Sequence, residues 1–195
     1  MTEPSLAQEA HLNHGALIVL LVIVVVVIAA LAFLAIRKRR SVQLRERFGP
    51  EYDRVVRREG DVRKAENVLE LRQKRREKFQ LRPLSPADRS EFARRWNDVQ
   101  AQFVDNPKGA VTNADNLVSQ VMQARGYPMS DFEQSASDIS VDYPEVVENY
   151  RGAHDIALRH SRGQASTEDL RRAMVHYRTL FQQLLEADQL QRKGA

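Results

Sequence analysis

From Gly15 to Ile36 the chain runs for 22 residues without one charged side chain, and most of the run is Val, Ile, Leu or Ala. At about 1.5 Å of rise per residue, a helix of that length covers the roughly 30 Å of a bilayer's hydrocarbon core. Such a run leaves no polar face for water, which sets it apart from the one-sided helix of a small soluble domain. The sequence therefore predicts a transmembrane helix over residues 15–36.

A cleaved signal peptide requires a basic stretch before the apolar run. Residues 1–14 instead carry Glu3 and Glu9, with only His11 and His14 as weak bases, and the basic cluster Arg37-Lys38-Arg39-Arg40 follows the run. By the positive-inside rule the short tail 1–14 is extracytoplasmic and everything from residue 37 on is cytoplasmic. No ionisable residue interrupts the span, so it lacks the groups that proton relays, ion pathways and voltage sensors place inside a bilayer. It reads as an anchor. With no Gly-x-x-x-Gly pattern, nothing in it calls for dimerisation through the membrane.

The net charge of +4 conceals a segregation: residues 1–36 hold two acids and no Lys or Arg, residues 37–82 hold 17 bases against 8 acids, and residues 83–195 hold 13 against 16. One segment is basic, and the chain as a whole is not. The absence of Cys removes disulfide frameworks, thiolate metal sites and cysteine nucleophiles.

Residues 37–82 read as a basic, amphipathic neck helix. Gly49-Pro50 interrupts it and Gly60-Asp61 marks a second weak point, since glycine costs a helix interior about 1 kcal/mol. Arg82-Pro83-Leu84-Ser85-Pro86 is a hinge whose serine and second proline suit a helix start. Beyond it, Phe92, Trp96, Val99 and Phe103 recur at helical spacing, followed by Val111 to Met122 and by Val146 to Ala157. Leu170 to Leu185 forms the clearest apolar stripe of all. No alternating strand-like run occurs. The expectation is an all-α chain: one transmembrane helix, the neck, a cytoplasmic bundle of about four main helices over 83–188, and a C-terminal tail at 189–195.

Arg37, Lys38, Arg39 and Arg40 are candidate contacts for an anionic membrane surface, although a topology determinant would look the same. Lys74, Arg75, Arg76 and Lys78 offer charge for nucleic-acid phosphates but lack interleaved aromatics. The acids Asp131, Glu133, Asp138, Asp142, Glu145 and Glu148 invite a metal or acid–base reading, yet first-turn and capping roles suit their positions. The five histidines lack the spacing of a ligand set or a catalytic pair. No cofactor, metal site or small-molecule substrate is identifiable. Phe48, Tyr52 and Val55 form an apolar stripe outside the expected bundle, which makes them candidate contacts for a protein partner or for self-association. Folding back onto the chain's own bundle is the other way to cover that stripe.

The phrases Arg47-Phe48-Gly49-Pro50-Glu51-Tyr52-Asp53-Arg54, Arg82-Pro83-Leu84-Ser85-Pro86 and Arg125-Gly126-Tyr127-Pro128, the last with Asp131-Phe132-Glu133-Gln134, resemble a family of uncharacterised bacterial membrane-anchored helical proteins. The resemblance spans roughly residues 44–186 and implies a bacterial source and a real folded domain. It carries no functional residues. The sequence is thus read as a single-pass protein with a cytoplasmic interaction or scaffolding domain. The alternatives are a membrane-surface enzyme using the acids near 131–148 and a nucleic-acid tether using the basic neck.

Overall fold

A computed structural model describes residues 6–128 and 130–193, with side chains described over 19–128 and 130–186. Among the described residues there are eight helices and no strand: α1 Leu6–Phe48, α2 Pro50–Glu59, α3 Val62–Arg76, α4 Pro86–Asp105, α5 Pro107–Ala124, α6 Phe132–Ile139, α7 Val147–Ser161 and α8 Thr167–Lys193. The chain divides into two units, one ending at Leu44 and one beginning at Arg45.

In the first unit α1 is longer than the apolar run alone predicts. It is already helical at Leu6 and continues without a break through the basic cluster. The large apolar side chains from Val19 to Ile36 are all exposed, and α1 alone among the described helices is long and apolar enough to cross a membrane. The side chains of His11 and His14, and residues 1–5 altogether, lie outside the described residues.

In the second unit the chain breaks at Gly49-Pro50 and at Gly60-Asp61, the two weak points of the neck sequence. Residues 45–76 form the end of α1 and two separate short helices, and they belong to the same compact unit as the helices that follow. Both breaks sit where local chemistry puts them. Pro50 occupies the first turn of α2, a position where its missing N–H has no helical partner to lose. Gly60 closes α2 in a left-handed conformation at φ 68°, and the Asp61 side chain accepts from the Lys64 amide to start α3.

The later helices, α7 excepted, are likewise opened by a short polar side chain that satisfies an otherwise orphaned amide. Ser85 accepts from Asp88 N–H, Asn106 from Gly109 N–H and Asp131 from Gln134 N–H. Asp131 is the cap of α6. At α8, Ser166 accepts from Asp169 N–H while the Asp169 carboxylate accepts from Ser166 N–H, a reciprocal box.

The core is built where α5 packs against α4 and α8, and α7 against α8. Trp96 of α4 stacks on Phe181 of α8 with ring centroids 4.6 Å apart and planes 22° from parallel. Ala110, Ala114, Ala153 and Ala173 are fully buried, so small side chains lie where helix backbones approach. Arg125, itself buried, ties the end of α5 to α8 by donating from Nη1 to the Leu184 carbonyl at 2.8 Å. Next to it Gly126 is left-handed at φ 93°, and a Cβ there would stand 2.5 Å from the Gln80 carbonyl oxygen. The chain returns over that glycine because no side chain blocks it.

Candidate functional site

The structure places Phe48, Tyr52 and Val55 inside the second unit, with side chains almost wholly removed from solvent. This corrects their assignment as partner contacts: the apolar stripe is covered by the chain itself, so a partner meeting the folded protein does not reach them. The Tyr52 hydroxyl donates to Glu66 of α3 at 3.0 Å, which fixes α2 on α3.

A polar network accompanies that burial. Glu51, with a completely buried side chain, accepts from Arg72 Nη1 of α3 at 2.6 Å and from Arg151 of α7 at 2.7 and 3.0 Å. Arg72 also donates to Ser140 Oγ at 3.0 Å. One carboxylate therefore serves two buried guanidiniums from different helices. Burial pushes the Arg151 guanidinium down from its ordinary value, and the adjacent Glu51 charge opposes that shift. Charged groups withdrawn from water persist only when paired and hydrogen-bonded in this way.

The basic cluster at 74–78 and the acidic cluster at 131–148, read separately from the sequence, meet one another. Arg75 donates to Asp138 Oδ1 at 2.8 Å, an oxygen that also accepts from Gln134 Nε2. Arg76 donates to Asp142 Oδ2 at 2.5 Å, and the Tyr127 hydroxyl donates to the same oxygen at 2.6 Å. Asp131 is spent on its cap and Glu148 faces Arg54 at 3.6 Å. The arginines proposed for phosphates and the aspartates proposed for acid–base work thus hold α3 against α6 and the segment after it. Among the described residues no group of three or more His, Asp or Glu is arranged to hold a metal.

Arg37, Lys38, Arg39 and Arg40 occupy four successive positions of α1. At about 100° per residue they point around the helix rather than along one face, and Lys38, Arg39 and Arg40 are exposed.

One feature escaped the sequence reading. A cavity of about 180 Å³ lies between α5, α6 and α7, lined by polar and aromatic side chains that include Asp115, Ser119, Phe132, Ser135, Tyr150 and His154. Asp115 and Ser119 are one turn apart on α5, as are Tyr150 and His154 on α7, so each helix presents a pair to the same space. Phe132 lies against both α7 residues: its ring is 4.8 Å from that of Tyr150 and stacks on the His154 imidazole at 3.5 Å, 6° from parallel. Burial pushes the Tyr150 and Tyr177 phenols up, and the Asp115 carboxylate adds to it in both cases. The signal available in the sequence was the i, i+4 spacing of polar groups beside the apolar stripes of α5 and α7.

In comparisons with known proteins, no family model, no curated protein and no solved structure matches this chain.

Proposed function

We propose that this is a single-pass membrane protein whose helical C-terminal unit lies in the cytoplasm and acts as a binding or scaffolding module. The carrying observation is α1: an apolar stretch exposed from Val19 to Ile36, continued by four basic residues on the same helix. Exposed apolar surface on that scale is stable in water only when a membrane or another protein covers it. The basic residues on its C-terminal side favour retention of that side in the cytoplasm. Helices α4, α5, α7 and α8 form the bundle, with α2 and α3 clamped onto it by the Glu51, Asp138 and Asp142 pairs. Of the acids and arginines that suggested catalysis or nucleic acid, Arg75, Arg76, Asp138 and Asp142 are engaged in these structural pairs, so binding is the better-supported role.

The test uses the full chain. The wild-type protein is expected to stay with membranes through alkaline carbonate washing. Val24→Arg with Val25→Arg, each costing about 2.5–3.5 kcal/mol at a span's centre, is expected to release it. Recovery of the wild-type chain in the wash overturns the anchor. For the module, crosslinking in intact cells and purification through a tag on the full chain is expected to yield one stoichiometric complex. A chain that is always recovered uncrosslinked and monomeric contradicts a scaffolding role.

A further inference from the structure

We infer that the cavity between α5, α6 and α7 is a binding site for a small primary ammonium compound, its charged nitrogen held at Asp115 and its carbon skeleton against Phe132 and Tyr150.

Three observations carry this. The first is the balance of charge and hydrogen-bonding capacity. The cavity wall holds one carboxylate and no Lys or Arg. Its other polar side chains are the hydroxyls of Ser119, Tyr127, Ser130, Ser135 and Tyr150 and the imidazole of His154, each with a lone pair that can accept a hydrogen bond. A wall with a negative charge, no Lys or Arg and several hydroxyl oxygens fits a cation with N–H groups, and it repels an anion. The second is convergence: Asp115 and Ser119 of α5 and Tyr150 and His154 of α7 line one space from two helices, the few convergent polar groups that orient a small ligand. The third is the aromatic lining. Phe132 and Tyr150 line the same cavity as the acid, and aromatic carbon of that kind covers a ligand's methylenes. With a single carboxylate and no third His, Asp or Glu nearby, the donor set suits an organic amine better than a metal ion.

Size limits the ligand further. An apolar cavity of about 150 Å³ is known to accept benzene, so 180 Å³ takes a molecule of about six to eight non-hydrogen atoms. Pockets that combine an apolar lining with a few convergent polar groups are the usual form of a small-molecule site. The inference concerns the second unit alone and stands whether or not α1 spans a membrane.

The experiment is an NMR titration of the full-length chain in non-ionic detergent micelles, with empty micelles as reference. The probes are benzylamine, benzyl alcohol and benzoate, which share a ring and differ in charge. Benzylamine is expected to bind saturably with a Kd at or below about 1 mM, at least tenfold tighter than the other two, because a charge-assisted hydrogen bond is about twice as strong as a neutral one. Asp115→Asn is expected to reduce benzylamine to the level of benzyl alcohol. Ser135→Leu, which adds bulk to the cavity wall without touching the acid, is expected to weaken benzylamine at least tenfold while the Trp96 unfolding transition is retained; it carries the test if Asp115→Asn fails to fold. Equal binding of the three probes, no saturable binding of benzylamine, or benzylamine binding unchanged by Ser135→Leu would each overturn the inference.

Discussion

Glu51 of α2 joins α3 and α7 through Arg72 and Arg151. Its carboxylate is fully buried and accepts three hydrogen bonds from two guanidiniums whose side chains are only 6% and 7% exposed. Glu51→Ala leaves Arg72 and Arg151 as neighbouring buried cations without their shared counter-charge. Removing one partner of a buried ion pair costs about 3–5 kcal/mol, a large part of the roughly 5–15 kcal/mol that holds a domain folded. With a urea slope of about 2 kcal/mol per molar for a unit of this size, the midpoint falls by about 2 M. The chain has one tryptophan, Trp96, buried in the core of that unit, so its fluorescence reports this transition in the detergent-solubilised full chain. In a background of Arg72→Met and Arg151→Met, removing Glu51 relieves an unpaired buried anion instead of creating unpaired cations, so the same substitution is expected to be neutral or stabilising. A Glu51→Ala midpoint within about 0.5 M of wild type, at an unchanged slope, refutes the claim that this carboxylate holds α2, α3 and α7 together.

Two glycine substitutions separate backbone strain from steric collision. Both Gly60 and Gly126 are left-handed, but a Cβ at Gly60 meets nothing within 4 Å, whereas at Gly126 it meets the Gln80 backbone at 2.5 Å. Gly60→Ala is expected to cost about 1 kcal/mol and Gly126→Ala clearly more, read as urea midpoints; equal costs contradict the close approach seen here. His176, within 3.1 Å of Asn149 Oδ1, is held below its ordinary value of 6.5 by burial and by the Arg172 charge. The unfolded chain therefore takes up a proton near pH 6.5 that the folded chain refuses, and stability declines as pH falls through and below that value. His176→Gln is expected to flatten the midpoint's pH dependence between about pH 7 and 5; an unchanged slope assigns the effect elsewhere. At lower pH, Asp169, held down at about 2 by the Ser166 amide and hydroxyl and then by Arg172, contributes stability above its unfolded value of 3.8 that is lost as pH falls through both. Asp169→Asn is expected to remove that acid-side loss, measured by circular dichroism.

What the sequence made legible was local. Ser85-Pro86 announces a helix start because a cap is completed by the next three residues, and the Trp96 and Leu170–Leu185 stripes follow from helical spacing alone. The apolar side of Phe48, Tyr52 and Val55 was equally readable, but not what covers it. The groups that clamp α2 and α3 down are Asp138, Ser140, Asp142 and Arg151, between 63 and 100 residues beyond their partners. No periodicity within a window of one or two helices records such pairings. The segregation of charge was the one long-range hint: the excess of bases in 37–82 and of acids in 83–195 is partly consumed by ion pairs between the two segments. The cavity at Asp115 was hidden for a related reason, since Tyr150 satisfies an inner-face pattern whether it packs against apolar neighbours or lines a polar space.

On the proposed topology α1 crosses a membrane with the second unit on the cytoplasmic side. The chain has no cysteine, so single cysteines at Ser5 and at the exposed Gln164 each provide a unique label. In intact cells a membrane-impermeant maleimide is expected to modify the full-length Ser5→Cys protein at once and Gln164→Cys only after lysis. Labelling of Gln164→Cys in intact cells, or protection of both positions until lysis, contradicts the account.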